Sequence, residues 1–377
     1  MKVLQILKTA EGASWAFRQI RELASLGTDI IVVLPEGKMV EEYRKLGVIT
    51  VVADLSLTLN IFHFYKRCRK LKKILKDYNP DIIHSHFFST TILMRLCLRF
   101  DQTRKRIFQV PGPLHLEHFI FRYIDLLTST NQDYWVASCK WTYDKYAQLH
   151  VDHSRLGLVY YGVDVEEHVT RTRECILRKE YNIPFDAFVV GTVSYFYKPK
   201  KYLFQKRGLK GHEDLIDAFS QFNKLHPNSY CIIVGGPWGD SQHYMNEVKN
   251  YAELKGCKNI IFTGFRNDVQ SIYPDFDIAC HPSHSENIGG AVESMLCSVP
   301  TMTSNVGGFP DIVIDGKTGW LFESKNPNSL LECLENVYSL DDRSAYAIKG
   351  KLLATNLLNV QVNAKDLHGF YRRILSR

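Results

Sequence analysis

The chain has 377 residues, 45% of them hydrophobic and 23% charged, with 47 Lys and Arg against 40 Asp and Glu for a net charge of +7. At about 150 residues per domain this length implies two domains rather than one, each large enough to bury a core without staples. The composition excludes a disordered chain, a collagen-like repeat and a coiled-coil rod, and no apolar run approaches the ~18 residues of a membrane-spanning helix.

The opening stretch, MKVLQILKTAEG, runs straight into a strand pattern at Val3–Leu7 and lacks the long apolar core of a signal peptide. Ala16–Leu26 has helical spacing, with Phe17, Ile20, Leu23 and Ala24 on one face and Gly27 as the stop. Strands are expected at Ile30–Leu34 and Ile49–Val52, then a long helix over Ile61–Tyr78 that Pro80 terminates. Asp81–His84, Ile107–Val110, Trp135–Ala137 and Leu158–Tyr160 read as further strands. A second series begins at Phe188–Val193, continues through a helix over His212–Leu225, and adds strands at Cys231–Val234, Ile260–Phe262, Ile278–Cys280 and Thr301–Ser304. Strands alternating with helices imply an α/β protein with two parallel, Rossmann-like sheets. The domains are expected at 1–165 and 172–358, joined by a linker within Val163–Arg173, with a C-terminal helix of about 360–377 packing back on the first. Nine scattered cysteines, an odd number with no C-x-x-C pair, imply free thiols in a reducing cytosol.

From Tyr65 to Lys76 there are seven basic residues (Lys66, Arg67, Arg69, Lys70, Lys72, Lys73, Lys76) and no acidic one. Ile61, Phe64, Cys68, Leu71, Leu75 and Tyr78 form the apolar stripe of the same helix. This is either a solvated helix face or a surface for anionic lipid or a phosphorylated acceptor. Nucleic acid is disfavoured because no aromatic interleaving accompanies the charge.

The segment His281–Thr318 is the most informative. A strand ends at Cys280–His281, a polar loop with Glu286, Asn287, Ile288, Gly289 and Gly290 follows, and a helix from Ala291 carries Glu293 in its first turn. A Gly-rich loop at a helix N-terminus presents free N–H groups and a positive dipole end to phosphate. Glu293 repels phosphate but can accept bonds from the two hydroxyls of a ribose; otherwise it stabilises the helix start.

This segment resembles the donor-binding region of the family 4 glycosyltransferases of the GT-B fold. Glu293–Ser294–Met295, Val299–Pro300, Val306–Gly307–Gly308 and Asp315–Gly316 through Gly319 match that pattern in order. Arg207–Gly208–Leu209–Lys210–Gly211 resembles its K-G segment, Ile233–Val234–Gly235–Gly236 its I-V-G-x-G strand end, and Phe262–Thr263–Gly264–Phe265–Arg266 its base-cradling loop. Pro80–His86 resembles its P-D-V-V-H-x-H strand, and Tyr161–Asp164 its interdomain N-G-V-D.

The resemblance implies two domains facing across a cleft and a retaining transferase, hexosyl or N-acetylhexosaminyl in type. Its co-substrate would be a UDP- or GDP-sugar, with no other cofactor and no metal, and its acceptor a glycan or lipid-linked hydroxyl in cell-surface polysaccharide or glycolipid assembly. It places Gly12, Ser14, Arg207, Lys210, Gly235, Arg266, Glu286, Asn287, Ile288, Gly289, Gly290 and Glu293 at the donor. Lys210, Glu286 and His115 are implied in catalysis, and His84, His86 and His118 on the acceptor side. The implied location is cytoplasmic, peripheral at the inner face of the plasma membrane.

Departures leave alternatives open. The family's two glutamates stand one residue further apart than Glu286 and Glu293, so Ser285 or Glu286 takes the first position. Ser194–Tyr195 replaces the family's arginine, leaving Arg207 to supply that charge from the Phe196–Gln205 insertion, or Lys210 to act alone. Pro111 stands where the family has histidine, and His115 or His118 could substitute, or simply pack in the loop. The Thr9–Ser14 loop faces the donor, or the acceptor because of Glu11, or is a structural turn. Asp275 and Asp277 have D-x-D form but precede a strand where the family's aspartate is structural. Beside a transferase stand a non-catalytic sugar-nucleotide-binding or assembly protein and a GT-B-fold epimerase or phosphorylase.

Overall fold

The structure, a computed structural model, describes residues 1–167, 173–200 and 204–376. Part of the expected linker, at 168–172, and part of the Phe196–Gln205 insertion, at 201–203, lie outside the described residues. The chain divides into two units: Met1–Asp164 together with the segment from Leu358 onward, and Val165–Leu357.

Unit 1 holds β1 (Lys2–Ile6), β2 (Asp29–Leu34), β3 (Ile49–Val52), β4 (Ile82–Ser85), β5 (Lys105–Val110), β6 (Asp133–Ala137) and β7 (Leu156–Leu158) in the order β3-β2-β1-β4-β5-β6-β7. Every pairing is parallel. The near-continuous apolar run Ile30–Leu34 follows from this, because helices cover both faces of β2 and all five residues are buried. The strand expected at Leu158–Tyr160 is registered earlier, since β6 ends at Ala137 and its carbonyl takes the last ladder bond, from Val159 N at 2.8 Å. The C-terminal helix Val360–Leu375 is capped by Asn359, whose side chain accepts from Gln361 and Val362 N–H. It buries Ala364, Leu367, Phe370, Tyr371 and Ile374 in the unit 1 core, beside Ile20 and Leu23. Each large side chain so buried contributes about 1.5–3 kcal/mol.

Helix Ile61–Tyr78 starts at Asn60, whose Oδ1 accepts from Phe62 N (3.0 Å) and His63 N (3.1 Å), and ends at Asn79 in the left-handed conformation, one residue before Pro80. Its inward stripe is Cys68, Leu71, Ile74 and Leu75; Phe64 and Tyr78 are half-buried, and Ile61, assigned to the stripe from spacing, is 57% exposed. The cysteines also depart from expectation. Cys68 is bonded to Cys97, with a Cα–Cα distance of 5.5 Å, which ties this helix to Phe88–Cys97 and leaves seven free thiols. The premise of uniformly free thiols therefore fails for this pair, whose partners lie on separate helices at a spacing that carries no motif.

Unit 2 holds β8 (Phe188–Val193), β9 (Ser229–Val234), β10 (Ile260–Gly264), β11 (Ile278–His281), β12 (Thr301–Ser304) and β13 (Trp320–Phe322), ordered β10-β9-β8-β11-β12-β13 and all parallel. At three residues, β13 is too short for its pattern to register in the sequence. The strand order reverses between β8 and β11, so their carboxyl ends flank the crevice where open parallel sheets bind ligands.

Candidate functional site

A pocket of about 280 Å³ lies at that reversal point. Val193 and Ser194 continue β8 into it, Val234 and Gly235 end β9 there, and Gly289, Gly290 and Glu293 come from helix Gly289–Leu296. Gly235 has φ +144°, and a Cβ there would sit 2.0 Å from the Ser194 carbonyl oxygen, so only glycine lets these two strand ends close together. Gly211 (φ +68°) does the same for the neighbouring loop, approaching the Pro282 carbonyl oxygen and starting helix His212–Leu225 directly after Lys210.

The Lys210 ammonium pairs with the Glu286 carboxylate, both largely sheltered from solvent. Glu286 Oε1 also accepts from Asn287 N at 3.1 Å. Ser285 is buried, so of the two candidates for the first motif position it is Glu286 that meets the lysine. Lys210 Nζ also lies 5.9 Å from the centre of the Tyr197 ring, whose hydroxyl is pushed up to about 12 by burial and the nearby Glu286 charge and so stays protonated. Behind the glycines, burial and the Lys210 charge hold His281 down at about 3; its Nε2 lies 3.1 Å from Ser294 Oγ. His212 is held at about 3 for the same reasons and lies 3.0 Å from Ser194 Oγ. Both imidazoles are neutral scaffolding, which leaves Lys210 as the cation their surroundings support.

Helix Gly289–Leu296 begins two residues earlier than the sequence suggested, so Glu293 is its fifth residue and lies beyond the first turn. Its carboxylate lines the pocket, and a role confined to stabilising the helix N-terminus does not fit that position. With the helix starting at Gly289, the N–H groups of Gly289 and Gly290 join that of Ala291 as ones without intrahelical partners.

The pattern described by Glycosyltransferase Family 4 matches residues 13–167, and that of Glycosyl transferases group 1 matches residues 196–351. The chain belongs to the family 4 glycosyltransferases. A UDP-Gal:alpha-D-GlcNAc-diphosphoundecaprenol alpha-1,3-galactosyltransferase from Escherichia coli is 24% identical over 339 residues, 85% of this chain and 79% of that protein. The D-inositol 3-phosphate glycosyltransferase of Corynebacterium kroppenstedtii is 28% identical over 51% of this chain, and the match spans 42% of that protein, less than half its length. Among solved structures, Anabaena HepE in complex with UDP superposes with a TM-score of 0.81 at 19% identity, covering 99% of this chain and 100% of that one. The fold of this family 4 glycosyltransferase is thus GT-B, with two parallel-sheet Rossmann-like domains.

Within this glycosyltransferase several expected site residues have other occupations. Arg207 does not line the pocket: it bonds Asp214 and Asp217, the latter at 2.7 Å, and these carboxylates hold its proton more firmly than usual against burial. Its charge is paired within the fold, outside the pocket. Arg266 lines the pocket but bonds Asp268 at 2.8 and 2.7 Å and Glu180 at 2.7 Å. Ile288 is buried. Asn287 borders the loop, and its Oδ1 is a buried acceptor without a partner among the described residues. Asp277 accepts from Val189 N at 2.8 Å and pairs with Arg173 and Arg178, while Asp275 accepts from Leu177 N at 2.6 Å, so both brace the start of the domain.

In unit 1, His84 and His86 are 0% exposed, which removes them from any acceptor contact. Their rings stack at 4.2 Å; His86 bonds Gln5 (2.7 Å) and Tyr161 (3.0 Å), His84 bonds Tyr371, and burial keeps both neutral. They are core residues that the H-x-H pattern disguised. His115 is also interior, 9% exposed, with Nε2 3.1 Å from Tyr146 Oη. His118 is half-buried against Phe119 and Phe121. Gly12 and Ser14 lie exposed on a turn that Thr9 Oγ1 closes onto Glu11, and Ser14 opens helix Ser14–Ser25.

Phe265 belongs to the loop expected to cradle the base, but the sequence reading missed the tyrosines beside it. Tyr195, Tyr197 and Phe265 line the pocket, and Tyr195 packs against Trp238 at 5.0 Å and lies near-parallel to Phe265 at 6.4 Å. The available signal was Tyr195–Phe196–Tyr197, aromatic residues following a buried strand where the family carries its arginine.

Proposed function

We propose that this chain is a retaining glycosyltransferase that moves a hexosyl or N-acetylhexosaminyl group from a UDP- or GDP-sugar to a hydroxyl of a glycan or lipid-linked acceptor, in polysaccharide or glycolipid assembly. The observation that carries it is Lys210 beside the Gly289–Gly290 helix start and Glu293, in one pocket at the sheet reversal. As the bond from the anomeric carbon to the diphosphate breaks, charge grows on the departing phosphate oxygen. Lys210 and the helix N–H groups stabilise it there. That oxygen takes the proton of the attacking acceptor hydroxyl, which then bonds the same face of the anomeric carbon. Glu293 accepts from the ribose hydroxyls, and Tyr195 and Phe265 offer aromatic faces to the base. UDP is favoured because the similar Escherichia coli protein is named for UDP-Gal and HepE is solved in complex with UDP.

The test is transfer from UDP- and GDP-sugars by the purified chain in excess EDTA, with product configuration read by NMR. Transfer with the anomeric configuration kept and no loss in EDTA is the expected result; full loss restored by magnesium or manganese would overturn metal independence. A non-catalytic sugar-nucleotide binder is the second reading, favoured by the carboxylate pairing of Arg207 and Arg266. A UDP-induced rise in melting temperature without turnover selects it, since a ligand at 100 times its Kd stabilises by ~2.7 kcal/mol.

Among the described residues no helix is long and apolar enough to cross a membrane. The proposed route to a lipid-linked acceptor is peripheral, through Lys66–Lys76 on an anionic surface such as the cytoplasmic face of the plasma membrane, at ~1 kcal/mol per basic residue. Sedimentation with anionic vesicles should be strong at low salt and weak at 1 M, where the screening length shrinks to ~3 Å. Changing Lys66, Arg69, Lys70 and Lys73 to Glu should abolish it; equal sedimentation of both proteins makes the helix an ordinary solvated face.

A further inference from the structure

The basic helix does more than present charge to solvent. Together with the end of β3 it lines a concavity of about 750 Å³ at the edge of the unit 1 sheet, away from the β1/β4 reversal point. Five cationic side chains line it, Lys66, Arg67, Arg69, Lys70 and Lys73, against a single carboxylate, Asp54. Asp54 is already engaged by Arg67. Among the described residues, none of Lys66, Arg69, Lys70 and Lys73 lies within ion-pair distance of a carboxylate, whereas Lys210 and Arg266 in the unit 2 pocket are both paired. Lys66, Lys70 and Lys73 follow at i, i+4 and i+7, so they stack on one helix face and repel one another. A fold that gathers unpaired like charges around a hollow is arranged for a compact anion that several of them can share.

The geometry points to a phosphate site here, taking a phosphomonoester or diphosphate group, distinct from the donor pocket of unit 2. It deepens the peripheral-membrane reading and rests on it only for a lipid source; diffuse attraction is satisfied by any anionic surface, whereas a concavity favours a small, multiply charged group. The source is either a diphosphate carried on a soluble ligand or the headgroup phosphate of a lipid.

The experiment titrates inorganic pyrophosphate calorimetrically into the full chain in the presence of excess UDP. It compares the wild type, the triple variant Lys66→Gln, Lys70→Gln, Lys73→Gln, and Lys210→Ala. These three lysines are exposed and Gln suits a helix, so the triple variant keeps its fold. The expected result is saturable binding, weakened at least about tenfold in the triple variant and unchanged in Lys210→Ala. A parallel arm compares vesicles of phosphatidate and of phosphatidylglycerol at matched surface charge. A phosphatidate preference lost in the triple variant assigns the site to a lipid phosphate. Pyrophosphate binding that depends on Lys210 alone, or vesicle binding indifferent to the phosphate type together with no difference between wild type and triple variant, overturns the site. Because the comparison is between variants, a failure of UDP to bind would sink the donor reading and leave this titration readable.

Discussion

Lys210→Ala should lower the rate of sugar transfer by about 10²–10³-fold, the loss seen when one preorganised donor to a developing oxyanion is removed. Position gives Lys210 this role. Gly211 allows the loop to pass against the Pro282 carbonyl, and this fixes Lys210 at the pocket where the Gly289–Gly290 N–H groups also converge. The nearest alternatives are spent: Arg207 is paired with Asp214 and Asp217, Arg266 with Asp268 and Glu180, and His212 and His281 are neutral. Removing the ammonium also leaves Glu286 without its counter-ion beside an incoming diphosphate, so repulsion adds to the lost attraction. Glu286→Gln supplies the contrast, since it frees Lys210 and should change KM more than kcat. Steady-state kinetics on both variants, with UDP-induced thermal shifts as a check on folding, measure the difference. Near wild-type turnover by Lys210→Ala would show that leaving-group charge is stabilised elsewhere.

Those parts of the molecule governed by local pattern were legible in the sequence. Buried parallel strands write themselves as short apolar runs, which is why Ile30–Leu34 and Phe188–Val193 end where expected. Six expected donor residues, Lys210, Gly235, Arg266, Gly289, Gly290 and Glu293, line one pocket because glycines and the residues beside them mark strand-to-helix turns. What depended on partners distant in the chain was not legible. His84 and His86 read as surface chemistry until Gln5, Tyr161 and Tyr371 close over them. Arg207 looked available because its carboxylates lie one and two turns along the next helix, and Cys68 finds Cys97 across a helix–helix contact. Burial and charge pairing are decided by tertiary neighbours, and residue type alone carries neither.

The largest expected loss of stability lies in such a hidden network. Asp125 is fully buried, accepts from Arg95 Nη1 at 2.5 Å, Trp135 Nε1 at 3.2 Å and Tyr146 Oη at 2.6 Å, and has His115 Nε2 at 3.5 Å. Burial pushes its carboxyl pKa up, yet Arg95, His115 and Tyr146 together hold it well below the usual range, so the group is a charge sealed in the core of unit 1. Arg95 extends the network to Asp133 at 3.1 Å, which Arg106 also bonds at 3.0 Å. Asp125→Ala leaves three donors aimed at a void and a buried guanidinium with one carboxylate instead of two, so it should cost about 3–5 kcal/mol. For a unit of this size that lowers its melting temperature by on the order of 10 °C. Because the cost is mainly the broken ion pair, Arg95→Met combined with Asp125→Leu should cost less than the two single changes summed, a coupling that a double-mutant cycle reads directly. Chemical denaturation of the four proteins, with the UDP-induced shift of unit 2 as an internal control, makes the comparison. Additive losses would mean that Arg95 and Asp125 each pack independently and that no shared ion network holds this face of the sheet.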